Sequence, residues 1–207
     1  MPLLETERWR NARTVPEWVA TGQDAHHQEM TRRIARVVQL TLDDEAFFRT
    51  LPPARLLIVT EECGADSEGM GVTSRVLEAT PNAEIRVLAK GEAGDIMRQY
   101  LKEGKYESVP LFLALTPELE VAAVLYELPP DLDRWVQASR RAYIVGELGY
   151  PEGTSLGDLP FEQQVVWVRR YQDYWRQHAP QITAWWVAEL RRLLAASSGS
   201  PAASGTG

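Results

Sequence analysis

Cysteine is nearly missing from this chain: 207 residues hold one, Cys63. A single thiol excludes an intramolecular disulfide, and the three histidines, His26, His27 and His178, form no Cys/His cluster at metal-ligand spacing. No metal is expected. Long hydrophobic runs are absent too: nowhere do about 18 apolar residues follow one another, and Met1 to Arg10 lack the basic stretch and apolar core of a secretion signal. The expectation is a cytoplasmic protein with no membrane contact. Positive charge is also scarce. With a formal net charge of −7 and its basic residues dispersed among acids, the chain lacks the local Lys/Arg excess that phosphate binding needs, which counts against nucleic acid. The "RRLL" near the C-terminus reads as a solvated helix face.

What is present matches an ordinary globular protein: 44% hydrophobic and 25% charged residues, enough for one core with appendages. Thr14 and Glu17 in "TVPEW" fit a capping box with Pro16 in the first turn, so a short helix starts there. Behind a possible Asp24 cap, Met30, Ile34, Val37 and Val38 recur at helical spacing. A third short helix, about residues 43 to 50, ends at Pro52 and Pro53.

"RLLIVT" then reads as a buried strand, followed by small and polar residues and the helical "SRVLEAT", with Cys63 at the turn between them. "EIRVLAK" is a second strand. "EAGDIMRQYLKEG" reads as an amphipathic helix with Ile96, Met97, Tyr100 and Leu101 on one face and Gly104 as C-cap. The strand, helix, strand order predicts a parallel pair. "LFLAL" and "EVAAVLYEL", separated by residues 116 to 119, suit an antiparallel hairpin. A helix with Asp131 available as cap and Leu132, Trp135, Val136 and Ser139 as its packing face closes the sheet. After a linker at 150 to 160 come two helices, about 161 to 178 and 181 to 195, broken at Pro180. The last stretch, "SSGSPAASGTG", has nothing to bury and is expected to be disordered.

The order β, α, β, α, β, β, α, with a cysteine after the first strand and a Val-Pro just before the third, resembles the thioredoxin fold. "VTEECGADS", "IMRQYLKEGKYESVP" and "LPFEQQVVWVRRYQDYW" resemble the uncharacterised bacterial thioredoxin family proteins, over roughly residues 14 to 195. The fold class expected is α/β: a thioredoxin-like mixed sheet sandwiched by helices, with a helical N-terminal extension (1–52), a core (53–149), a C-terminal helical hairpin packed on the core (150–195) and a tail (196–207). The resemblance implies that Cys63 is the turn cysteine and Gly64 the glycine after it. It also implies that Pro110 is the proline held in cis beside the thiol, leaving the backbone of Val109 to pair with an extended substrate or with glutathione. Two departures matter. Asp66 stands where a resolving cysteine would be, so two-thiol exchange cannot run, and Glu62 replaces the tryptophan expected before the cysteine.

For Cys63 two readings compete. A helix N-terminus lowers a thiol pKa and favours the nucleophilic thiolate, whereas Glu61, Glu62, Asp66 and Glu68 oppose a second negative charge. The plainer reading is a small packing residue at the top of the sheet. Asp66 is a candidate proton acceptor for Cys63, or the helix N-cap. His26 and His27 fit a solvated pair better than a metal site, and Tyr100 and Tyr106 fit packing or rim roles. Trp167, Tyr171, Tyr174, Trp175, Trp185 and Trp186 lie on more than one helix face; they pack across the core or form a homodimer interface.

The functional expectation is a monothiol redox protein in which Cys63 forms a mixed disulfide with a protein or with glutathione, and an external thiol resolves it. The alternatives are a non-catalytic thioredoxin-fold interaction module and a glutathione transferase-like enzyme. Against the last, no Glu-Ser or Asp-Ser pair follows the hairpin, where such enzymes hold the γ-glutamyl group.

Overall fold

The protein is described by a computed structural model covering residues 2–61 and 64–199. Met1, Glu62, Cys63 and residues 200–207 lie outside the described residues, and with them most of the expected tail. The strands are β1 (Arg13–Thr14), β2 (Ala54–Thr60), β3 (Ala83–Ala89), β4 (Leu111–Leu115) and β5 (Val121–Tyr126). They form one sheet in the order β1-β3-β2-β4-β5. β2 and β3 run parallel, and the other pairs are antiparallel. Successive side chains on a strand point to opposite faces, and both faces here are covered. Leu56 and Ile58 of β2, with Phe112 and Ala114 of β4, join one buried cluster. Leu57, Val59, Leu111, Leu113 and Leu115 join the other. That is why both strands read as unbroken apolar runs.

The smaller face is closed by Trp9 of α1 (Thr6–Asn11) and by Ile96 and Met97 of α6 (Gly94–Met97). The larger face carries α2 (Val15–Thr21), α3 (Ala25–Val37), α4 (Leu42–Thr50), α5 (Gly64–Ala79), α7 (Pro130–Arg141) and α8 (Phe161–Ser198). The caps follow from short polar residues. Thr14 and Glu17 form a reciprocal capping box, Asp24 accepts from the His27 amide, and Thr41 and Asp44 form a second box.

Three expectations are corrected and one is met. The helix over "EAGDIMRQYLKEG" is only the four residues of α6; the chain then turns through Glu103 and Gly104, both at positive φ, and Lys102 bridges to Tyr106. Asp131 does not cap α7: Pro129 occupies that position, and Asp131 pairs with Arg134 one turn on. The break expected at Pro180 is present within α8, as a kink where His178 leaves helical geometry (φ −120°, ψ 17°) two residues before the proline. The end of α8 runs past the expected tail boundary to Ser198, where Ser197 accepts from the Arg55 amide and donates to the Leu115 carbonyl, both at 2.6 Å.

Close packing of α5 on its neighbours depends on two glycines. A Cβ at Gly71 would lie 2.7 Å from Ile34 and 2.9 Å from the Thr31 carbonyl oxygen, a backbone atom that cannot swing aside. Gly71→Ala is therefore expected to destabilise by about 1–3 kcal/mol despite a helix-propensity gain of about 1 kcal/mol. Urea unfolding measures this, and unchanged or increased stability would show that α3 can retreat freely.

Candidate functional site

The register pairs Val59 of β2 with Leu111 of β4, which sets the C-terminal end of β2 beside Pro110. The Val109–Pro110 peptide bond is cis. Here a groove of about 520 Å³ is lined by Glu61, Lys90, Lys102, Tyr106, Val109 and Glu127, among others. Val109 is partly exposed at its edge, and neither its N–H nor its C=O has a hydrogen-bond partner among the described residues. Glu127 braces the loop from the left-handed region (φ 60°): its amide donates to the Pro110 carbonyl at 2.7 Å, and its carboxylate accepts from Ser108 Oγ at 3.0 Å. Both lysines are engaged, Lys90 with Glu61 and Glu107 at 4.0 and 3.8 Å, Lys102 with Glu127 and Asp133 at 3.3 and 3.2 Å. A larger cleft, about 690 Å³, lies at the opposite end of the sheet, around Trp9, Arg55 and Glu118, far from these groups.

The chain leaves the groove at Glu61 and is described again from Gly64, where α5 begins. Cys63, the expected nucleophile, falls between them, outside the described residues. Asp66 stands inside the first turn of α5 and not in the flanking cap position. Its carboxylate is buried and accepts from Gln23 Nε2 at 2.6 Å, Thr60 Oγ at 2.8 Å and Trp18 Nε1 at 3.4 Å. Gln23 is itself fixed by Thr31, whose hydroxyl donates to its side-chain oxygen at 3.1 Å. Burial pushes the Asp66 carboxyl above its ordinary range, and the three donors only partly oppose this. α2 and the turn after it thus reach into the head of α5, and nothing in the sequence marked Gln23 for that role.

Glu68 is the larger surprise. It is 4% exposed, and burial lifts its carboxyl to about 7. One oxygen accepts from the Tyr171 hydroxyl at 2.7 Å; the other has no hydrogen-bond partner among the described residues. The indoles of Trp175 and Trp186 are near enough to favour the charged form, although neither N–H reaches hydrogen-bond geometry. A signal existed: Glu68 stands four and eight residues before Val72 and Val76, both fully buried, so helical periodicity puts it on an interior face. Of the four carboxylates expected to oppose a thiolate, Asp66 and Glu68 are thus buried acids with raised pKa values, while Glu61 is exposed beside Lys90.

His27 bonds Asp24 at 3.0 Å and meets His26 edge-on, Tyr100 is half-buried, and Tyr106 is 60% exposed on the groove rim. Among the described residues no group of three or more His, Cys, Asp or Glu could hold a metal ion, and no helix is long and apolar enough to cross a membrane.

No curated protein matches the sequence. Among solved structures, a protein of unknown function from Pseudomonas aeruginosa is similar at 21% identity and a TM-score of 0.54, over 68% of this chain and 85% of that one. An HIV epitope-scaffold is similar at 20% identity and a TM-score of 0.61, over 94% of this chain and 98% of that one. These likenesses concern the fold. A family model described as thioredoxin matches residues 12–140, which takes in all five strands, α2 to α6 and all but the last residue of α7. By that match, over more than half its length, this chain belongs to the thioredoxin family.

Proposed function

We propose that this is a monothiol redox protein acting through Cys63. The observation that carries the reading is the main chain of Val109, whose N–H and C=O have no hydrogen-bond partner among the described residues and stand at a groove that Glu61 also lines. An extended disulfide-bearing segment, or glutathione, would pair with them as an added strand. The Cys63 thiolate attacks one sulfur, forming a new S–S bond, and the other sulfur departs as a thiolate. An external thiol then attacks the mixed disulfide and releases Cys63. Gly64 opens the helix whose N-terminus favours the thiolate. Asp66 takes up the thiol proton, a role that suits a buried acid of raised pKa. With an aspartate in the resolving position, the second step requires a partner molecule.

Incubating the native protein with glutathione disulfide and measuring its intact mass tests this. A single adduct, absent in Cys63→Ser and removed by reductant, is expected. A wild-type protein that is modified only after unfolding would make Cys63 a packing residue and overturn the reading. The second reading, a thioredoxin-fold interaction module, is favoured by the exposure of Phe161, Val166 and Val168 on α8, which is also where a homodimer would form.

A further inference from the structure

α8 is one helix by hydrogen bonding and two by packing. Past the kink it buries Ile182, Trp186, Val187, Leu190, Leu193 and Leu194 in the core; before it, only Trp167 is buried. The outer half is held by side-chain contacts from α5, α7 and residues 142–147, where the Tyr143 hydroxyl donates to the Gln163 carbonyl at 2.9 Å and Arg170 pairs with Glu147 at 2.6 Å. Tyr174 stacks on Trp135 at 3.6 Å, the Arg140 guanidinium lies 4.6 Å over Trp167, and Tyr171 bonds Glu68. Glu68 faces the elbow itself, meeting Tyr171 and Trp175 from the outer half and Trp186 from the inner half.

We propose that the outer half of α8, residues 161–178, is a proton-gated clasp: it stays docked on α5 and α7 while Glu68 is protonated and swings about the His178 elbow when Glu68 ionises. Among the described residues, an ionised carboxylate there has one donor, one bare oxygen and no paired cation. Hydration is the available relief, and the outer half is the wall that can move, because the inner half is core. Burial sets the change near neutral pH.

The other charged and titratable groups nearby act elsewhere. Arg140 of α7 and Glu127 after β5 influence Tyr171. Asp66, two residues earlier on α5, faces Gln23, Thr60 and Trp18, and His27 of α3 acts on it. On the α4 flank Arg75 pairs with Glu45 at 3.7 Å. His178 stacks on Tyr174 at the elbow, its Nδ1 2.9 Å from the Tyr174 carbonyl oxygen, so the test below includes it as a control. The clasp does not depend on whether Cys63 is reactive.

Hydrogen exchange of the full chain at about pH 6 and about pH 8.5, corrected for intrinsic rates, is expected to show protection of residues 161–178 falling about tenfold while 182–198 hold. Glu68→Gln should keep the outer half protected at both values, and His178→Gln should leave the response intact. Tyr171→Phe, which removes the donor favouring the charged form, should move the midpoint to higher pH, and decides the matter if Glu68→Gln does not fold. Equal protection in the wild type, a response surviving Glu68→Gln, a response lost in His178→Gln, or an unmoved midpoint in Tyr171→Phe would each overturn the clasp.

Discussion

Glu68→Gln should make the protein more stable at about pH 8, by about 2–3 kcal/mol, and leave it little changed at about pH 4.5. Glu68 ionises near the ordinary 4.5 in the unfolded chain and near about 7 in the folded one. Between those values the folded state holds more protons than the unfolded state, so stability falls as pH rises through the window. Above about 7 the whole penalty stands, and the gap corresponds to about 3 kcal/mol. The amide keeps an oxygen for the Tyr171 hydroxyl and carries no charge to desolvate. Its NH₂ faces indole N–H groups, which cannot accept from it, and that mismatch takes back part of the gain. Urea unfolding at the two pH values distinguishes the outcomes. Parallel profiles for wild type and variant would mean that Glu68 is already hydrated in the native state.

The same residue shows what sequence could and could not reveal. The alternating burial of Leu56, Leu57, Ile58 and Val59 was legible because every position is apolar, which only a strand covered on both faces tolerates. The capping boxes at Thr14 and Thr41 differ in the same respect: the first was legible because Pro16 follows it, whereas the second opens two residues before the expected helix start. The break near Pro180 was visible because a proline in a helix removes a donor and crowds the preceding turn.

The helix expected after Gly94 failed for a tertiary reason. Helix propensity is worth tenths of a kcal/mol per residue, and it is outweighed where Lys102 turns back to bond Tyr106 and reach Glu127 and Asp133. β1 was invisible because two residues carry no period. The polar network at the head of α5 was only half legible. Asp66 stood out by replacing a cysteine, but Gln23, which bonds it, and Thr31, which holds Gln23, are distant in sequence and come to the head of α5 where α3 crosses it at Gly71.

Trp186→Ala should produce the largest loss of stability, about 3–5 kcal/mol, because it empties a large space in a core too tightly packed to collapse. Trp186 is fully buried, its ring centroid 5.6 Å from that of Phe112, and Gly69 is tolerated in mid-helix because a Cβ there would come within 2.8 Å of Phe112 and 3.2 Å of Trp186. The loss should also depend on pH. The indole wall removed by this substitution is part of what keeps water from Glu68, so the new cavity, polar on one side, admits water and lowers the carboxyl's pKa toward its ordinary value. The penalty that Glu68 imposes above about pH 7 then lifts, and the net loss at about pH 8 should be smaller than at about pH 5 by as much as about 3 kcal/mol. In the double variant with Glu68→Gln that difference should vanish, since no charge remains to hydrate. Equal losses for Trp186→Ala at both pH values would mean that the cavity stays dry and that Trp186 serves packing alone.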